Sequence, residues 1–415
     1  MSHIYIFEDA NYSRLAPLVY TRATFELRCG LYTQWERISR LYPGATITLF
    51  CRDALADIVK ERYPLEVNAP RKQNDSCLFI NGRAILSRPV SLEGPEEIGM
   101  QGDTVVYLRL KKNSPEKISY NTFLEENYHE KWENTLPRVD IHTPVFSYYW
   151  DIIKRNAHQI AEDFSLFVKE GRNAGNVYEG TYLINKDKIY IGKGSRIKPC
   201  CVLDAENGPV YIGNNVTISP NTSIEGPVYI GDNSVILPNS RLRGGTNIGE
   251  VCKIGGEIVN TIFHSFTNKQ HDGFLGDSYL GSWVNIGADT TNSNLLNTYG
   301  LIKVQMGNTL INTNHNSLGM AMGDHTKTAI NTTIMTGSVI GFACNIVTNL
   351  YPPKYLPSFS WCTVNGIRVY EWDKALCVAR LAMERRDKKM SAAEEELFKK
   401  IFQLTENERT ICKKT

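Results

Sequence analysis

The sequence predicts an α/β domain followed by a parallel β-helix and a helical tail. Three patterns predict it. Short apolar strands alternate with amphipathic helices in the first third, an aliphatic residue recurs every sixth position from about Ile191, and helical spacing returns after Trp372. These patterns set boundaries of 1–145 for the α/β domain, 146–170 for a connecting helix, 171–365 for the β-helix and 366–415 for the C-terminal helices.

In the first part, Ile4–Phe7, Thr46–Phe50, Cys77–Ile80 and Thr104–Leu108 read as buried strands, with helices at Thr33–Leu41 and Asp53–Tyr63. Strand-helix alternation implies a parallel sheet covered on both faces, with ligands beyond the carboxyl ends of the strands. Lys111–Pro144 is polar and weakly patterned and reads as an insertion or connecting loop. Tyr149, Ile152, Ile153, Ile160, Phe164 and Phe167 then share one helical face and form the connector.

The repeat is the clearest signal. Ile191, Ile197 and Leu203 are six apart, and Ile212, Ile218, Ile224, Ile230, Ile236, Leu242, Ile248 and Ile254 keep the step without a slip. It returns at Leu280 and Ile286, and at Ile334, Ile340 and Ile346. A period of six fits neither an α-helix nor strand alternation. It fits a three-faced coil with one aliphatic per face pointing inward, the small residue after it permitting the corner, so that stacked coils grow one core. In the tail, Trp372–Lys389 is amphipathic, and Ser391-Ala392-Ala393-Glu394 is a capping box for a last helix expected to brace the end of the solenoid.

Length, charge and cysteines bound the class. A chain of 415 residues exceeds one ordinary domain, and 42% hydrophobic with 22% charged residues is a globular balance. A net charge of +2 points to neither a nucleic-acid nor a membrane-surface partner. Met1–Phe7 lacks the pattern of a secretion signal, and no apolar run spans a bilayer. The ten cysteines include no C-x-x-C pair, so reduced thiols and a cytoplasmic location are expected.

The hexad breaks between Ile258 and Tyr279, and a loop leaving a solenoid is a natural place for a functional group. His271 lies there. An imidazole titrates near neutrality and suits proton removal from an attacking amine; the plain alternative is a structural or solvated histidine.

The run His271-Asp-Gly-Phe-Leu-Gly-Asp, followed by Asn285-Ile-Gly287-Ala288 and then Asn294, resembles the acetyltransferase half of the bifunctional N-acetylglucosamine-1-phosphate uridyltransferase/glucosamine-1-phosphate N-acetyltransferases. The offsets from the histidine match without gaps. The resemblance implies a left-handed β-helix, His271 as catalytic base, Asn285 and Asn294 binding sugar and positioning the histidine, and Ala288 at the start of the acetyl-CoA site. Phe274 stands where the family has a sugar-phosphate-binding tyrosine, and Tyr299 joins the substrate-binding candidates. Ser240-Arg241-Leu242-Arg243-Gly244-Gly245 resembles the family's Ala-Arg-Leu-Arg-Pro-Gly and implies that Arg243 holds the substrate phosphate. The next phosphate-binding lysine has no counterpart near Glu257–Thr261, and Lys269 is the substitute considered.

Ile6-Phe7-Glu8-Asp9, Leu15-Ala16-Pro17-Leu18, Thr21-Arg22-Ala23, Phe25 to Gly30 and Ile80-Asn81-Gly82-Arg83 look like the divergent branch of this family, whose N-terminal domain is a variant, Rossmann-like nucleotidyltransferase. The usual Gly-rich phosphate loop is missing. Arg22 and Arg28 are the candidate nucleotide ligands, the alternative being salt bridges to Glu26 or Glu36, and Asn81 stands where a magnesium-binding aspartate is expected. Asp9 or Asp103 is the remaining metal candidate, Asp9 being preferred. The implied cosubstrates are acetyl-CoA and an NTP, UTP first, with Mg²⁺, and the implied assembly is a homotrimer. Two other readings stay open: one active domain only, or a non-catalytic assembly scaffold.

Overall fold

The computed structural model describes residues 3–71, 76–168 and 171–411. The chain forms two compact units, one made of Met1–Leu15, Thr21–Arg28 and Tyr32–Tyr148, the other of Ala16–Tyr20, Cys29–Leu31 and Tyr149–Thr415.

The first unit is an α/β fold on a seven-stranded sheet, in the order Glu66–Val67, Thr46–Phe50, His3–Phe7, Cys77–Asn81, Thr104–Leu110, Glu97–Gln101 and Arg138–Asp140. His3–Phe7 pairs in parallel with Thr46–Phe50 and with Cys77–Asn81, as the alternation predicts. Thr104–Leu110 departs from that expectation and runs antiparallel to Cys77–Asn81. A parallel return needs a crossover, usually a helix. Here the chain instead re-enters as Glu97–Gln101 and reverses in a two-residue hairpin whose first residue, Gly102, has φ +57°.

The polar stretch after Lys111 is more than a loop. Its Phe123 and Trp132 are fully buried, and the Phe123 ring stacks on Phe7 at 3.9 Å and lies 5.5 Å from Phe79. Isolated aromatics in a polar run complete one face of the sheet.

In the second unit the hexad becomes a prism with three parallel ladders. One carries Ile191, Ile212, Ile230, Ile248, Phe263, Leu280, Met322, Ile340 and Leu356 in register. The second carries Ile197, Ile218, Ile236, Ile254 and Lys269, and the third Leu203, Ile224, Leu242, Ile258 and Leu275. All are fully buried, and each buried aliphatic contributes roughly 1.5–3 kcal/mol relative to exposure.

At the corners two tasks fall to two different residues. The left-handed residue comes two places after the small one: Asn215 and Asn233 have φ +55° and +60°. The small residue answers the next coil instead. A Cβ on Gly231 would stand 2.7 Å from the backbone carbon of Gly249.

The coil also continues where the hexad fades. Phe263, Lys269 and Leu275 take the inward positions between Ile258 and Leu280, so no loop leaves the prism there. The excursion falls later, around a hairpin of Lys303–Met306 and Thr309–Asn312.

The connecting helix runs Tyr149–Asp163 and buries Tyr149, Ile152, Ile153 and Ile160. Asn156 ties it to the prism, its Nδ2 donating to the Gly245 carbonyl at 2.8 Å. In the tail, helices span Trp372–Glu384 and Ala392–Leu404. The capping box forms: Glu394 N–H donates to Ser391 Oγ at 3.1 Å, and Ser391 N–H to Glu394 Oε2 at 2.9 Å. Phe398 of the second helix packs on Phe342 and Phe359 at 4.8 and 5.3 Å, bracing the last coils.

Candidate active site

His271 sits exposed on the corner between the ladder of Lys269 and the ladder of Leu275. What fixes that corner is Lys269. It occupies an aliphatic position in the core, opposite Ile254, and is fully buried. Its ammonium donates to the carbonyl of His271 and, at 2.8 Å, to that of Asp272. Burial pulls its pKa down to about 8, against the opposing pull of Asp272 and Asp289. An ammonium inside the prism does not meet a substrate phosphate, so the substitution considered for Lys269 is corrected. The lysine is a clamp for the histidine corner.

The strand after His271, Phe274–Gly276, brings two candidates together. The Phe274 ring and the Asn294 amide both close over Gly276, where an added Cβ would lie 2.7 Å from the ring and 2.9 Å from Nδ2. Asn294 does not hold the histidine within the chain: its Nδ2 donates to Asp277 Oδ2 at 2.8 Å, beyond the far end of that strand. The other Asp277 oxygen accepts from Asn260 at 2.7 Å and pairs with Lys154 of the connecting helix at 3.2 Å. Lys154 also donates to Ser317 at 2.8 Å. Sequence reasoning missed Lys154 because it lies more than a hundred residues upstream of the motif.

Arg243 lies outside the same ladder as Phe274, half-exposed, with Glu257 at 3.5 Å and Glu225 at 4.0 Å. Such exposed pairs are worth at most about 1 kcal/mol, so an anion can displace them. Asn285 is elsewhere. It lies on the ladder of Ile286, beside Asn268 and Lys327. Ala288 is on the corner stacked on that of His271, where Asp289 N–H donates to the Asp272 carbonyl at 3.1 Å. Tyr299 is 73% exposed in the excursion after Asn294. One prism therefore presents Phe274, Asn294 and Arg243 on one face and Asn285 on another, with His271 at the edge between them.

In the first unit the carboxyl ends of the parallel strands carry Glu8, Asp9, Arg52, Asn81 and Arg83. Asp9 is fully buried, and Arg83 grips both its oxygens at 2.8 and 2.5 Å. Asn81 donates to Asp9 at 2.8 Å and to the Val105 carbonyl at 2.9 Å. A carboxylate held this way does not fit a magnesium ion, and the assignment of the metal to Asp9 is corrected. Asp103 stands exposed in the hairpin turn. Among the described residues no group of three or more His, Cys, Asp or Glu side chains is placed to hold a metal. Arg22 and Arg28 are buried, and Glu26 pairs with Arg62 at 2.9 Å. Arg52 meets Glu8 at 2.5 Å, while burial raises the Glu8 carboxyl against it. Arg52 and Arg83 went unassigned in the sequence, since only the strand register shows which cations reach this edge.

No described helix is long and apolar enough to cross a membrane. The nine described cysteines are all unbridged.

Two families match separate stretches of the chain. The family described as sugar nucleotidyl transferase matches residues 4–172, and the bacterial transferase hexapeptide, six repeats, matches residues 209–244. Bifunctional protein GlmU of Rippkaea orientalis (strain PCC 8801 / RF-1) is 33% identical over 111 residues, 26% of this chain and 23% of that protein. GlmU of Cyanothece sp. (strain PCC 7425 / ATCC 29141) is 33% identical over 153 residues, 36% of this chain and 29% of its own length. A bifunctional sugar-1-phosphate nucleotidylyltransferase/acetyltransferase of Sulfurisphaera tokodaii is 38% identical over 91 residues, 21% of this chain and 23% of its own. The matched stretch is thus under a third of each curated relative. The UDP-N-acetylglucosamine acyltransferase of Francisella novicida aligns over 57% of this chain and 86% of its own at 14% identity, with a TM-score of 0.33. The relatives named for an activity are transferases; in this chain residues 4–172 resemble the sugar nucleotidyl transferase family, and residues 209–244, within the β-helix, resemble the transferase hexapeptide.

Proposed function

We propose that the β-helix unit moves an acetyl group from acetyl-CoA to the amine of an amino-sugar 1-phosphate. The N-terminal domain, on the same reading, transfers a nucleotide from an NTP, with UTP the expected one, to a sugar 1-phosphate and releases pyrophosphate. The observation that supports the first half is the exposed His271 held by the Lys269 clamp at the edge of a face carrying Phe274, Asn294 and Arg243. In the reaction the amine nitrogen attacks the thioester carbonyl, a C–N bond forms and the C–S bond breaks. His271 takes the proton the amine loses, and the thiolate leaves and is protonated. Arg243 would hold the phosphate through its forked donors, displacing Glu257 and Glu225. Phe274 gives the sugar an apolar floor without the hydroxyl contact of a tyrosine. Asn294, oriented by Asp277 and Lys154, supplies a fixed amide beside it.

Because Asn285 and Asn294 face different ways on one prism, a site using both draws them from neighbouring copies, which supports a homotrimer. Light scattering of the purified chain tests that assembly, and a strict monomer removes it. Unbridged cysteines suit a reducing cytoplasm.

A second reading, in which only the acyltransferase half turns over, is favoured by the closed Asp9–Arg83 pair. Paired assays decide between them. Release of free CoA and release of pyrophosphate are followed over a panel of sugar phosphates and NTPs, for the wild type and His271→Ala. Loss of CoA release alone fits two independent sites. If pyrophosphate never appears, the nucleotidyl half is withdrawn. If neither product forms, the scaffold reading replaces both.

A further inference from the structure

We propose that the groove between helix Trp372–Glu384 and the outer side of the Asn268–Asn285–Lys327 ladder binds a nucleoside pyrophosphate, with its phosphates on Lys253, Arg385 and Arg386 and its base against the Phe266–Trp283 pair. The cavity is about 380 Å³, the size of a small-ligand site.

Its charge is one-sided. Lys253, Lys327, Arg385 and Arg386 line it, and no described Asp or Glu does. The contacts made by two of these cations are to neutral groups: Lys327 donates to the His325 carbonyl at 2.9 Å, and Arg386 to the Asn268 side-chain oxygen. The crowding is felt. The neighbouring Arg386 cation, then burial and Arg385, hold Lys253 below the usual lysine range, and burial takes Lys327 to about 8. An anion among these groups would relieve both the repulsion and the desolvation.

The aromatic wall is an independent observation. Phe266 and Trp283 stack with centroids 4.3 Å apart and planes at 14°. Both sit on a corner with φ +52° and +61°, in the column where earlier coils place Asn215 and Asn233. Bulky side chains rarely adopt the left-handed region. His325 and Phe359, higher in the column, meet Phe398 of the tail at 5.9 and 5.3 Å, which accounts for their aromatic character. Trp283 also stacks on His325, with centroids 6.2 Å apart and planes at 10°, and together with Phe266 it lines the groove below the tail contact. Stacked rings beside a cationic rim are what a base with a phosphate chain recognises.

A nucleoside pyrophosphate is common to coenzyme A and to the nucleotides of the first domain, so the test has an arm for each. The coenzyme A arm rests on the acyl-transfer reading. Binding is therefore also measured in His271→Ala, which separates lost turnover from lost binding. The full chain is titrated with coenzyme A, UTP and inorganic pyrophosphate, by calorimetry and tryptophan fluorescence. Lys253→Gln with Arg385→Gln, both side chains reaching solvent, should weaken the cognate nucleotide about 10- to 100-fold. Trp283→Phe should keep the affinity within about threefold while removing the quenching, since a ring remains to stack. Weakening of coenzyme A alone assigns the groove to the acyl carrier, and weakening of UTP alone assigns it to a nucleotide. UTP held only in the first domain would be untouched by these substitutions. The proposal fails if no nucleotide quenches Trp283, or if both bind the double variant as tightly as the wild type.

Discussion

Replacing Lys269 with Met takes an ammonium out of the prism interior while keeping an unbranched side chain, one atom shorter. In the folded protein this lysine titrates at about 8, against 10.5 for the free side chain, chiefly because it is buried. A base whose folded pKa is depressed binds fewer protons folded than unfolded. Its penalty is therefore complete below pH 8 and vanishes above 10.5, so stability rises with pH through that window. The linkage relation gives a penalty of about 3 kcal/mol near neutral pH and about 1.4 kcal/mol near pH ~9.5. Lys269→Met lacks the penalty but leaves the carbonyls of His271 and Asp272 without their donor, at roughly 1–3 kcal/mol each whatever the pH. The stability of the variant relative to the wild type should then fall by about 2 kcal/mol between those two pH values. Urea unfolding followed by circular dichroism measures the difference. A gap that does not change with pH would refute the placement of a charged amine in the core. The same variant should lose acetyl-transfer kcat, because the corner bearing His271 loses its clamp.

Three further outcomes are expected. Asp9→Asn leaves the Arg83 guanidinium buried without its carboxylate and should cost about 3–5 kcal/mol, seen as a lower Tm. Gly231→Ala needs no unusual φ yet puts a methyl against the backbone of the next coil, and should cost about 1–3 kcal/mol in the same unfolding assay. Lys154→Met releases Asp277 and so loosens Asn294. It should raise KM for the amino-sugar phosphate several-fold and change kcat by less than about threefold, with Lys154→Arg partly restoring KM; an equal fall in kcat would place Lys154 in the chemical step instead.

Much of the architecture was legible in the chain itself. The hexad from Ile212 to Ile254 repeats one local burial rule, and each coil meets only its neighbours, so the period alone specifies the prism. The helices Gln34–Leu41 and Asp53–Arg62, the three parallel strands and the Ser391 capping box were equally readable, because each depends on residues close in sequence. The resemblance singled out His271, Phe274 and Asn294 through fixed offsets along consecutive coils.

Tertiary structure decided where the polar groups spend their bonds. Lys269 looked like a surface cation in a loop, and it is a core residue, because one interior position of the coil is filled by a side chain the aliphatic pattern does not count. Asp9 looked available, and it is closed by Arg83, seventy-four residues away, through a strand register that no local window contains. Asn285 and Asn294 stand nine residues apart in the motif and turn to different faces, since a triangular coil rotates its outward direction at every corner. Burial of apolar side chains follows a period and is written locally. The partner of a charge depends on which distant backbone arrives beside it, and only folding settles that.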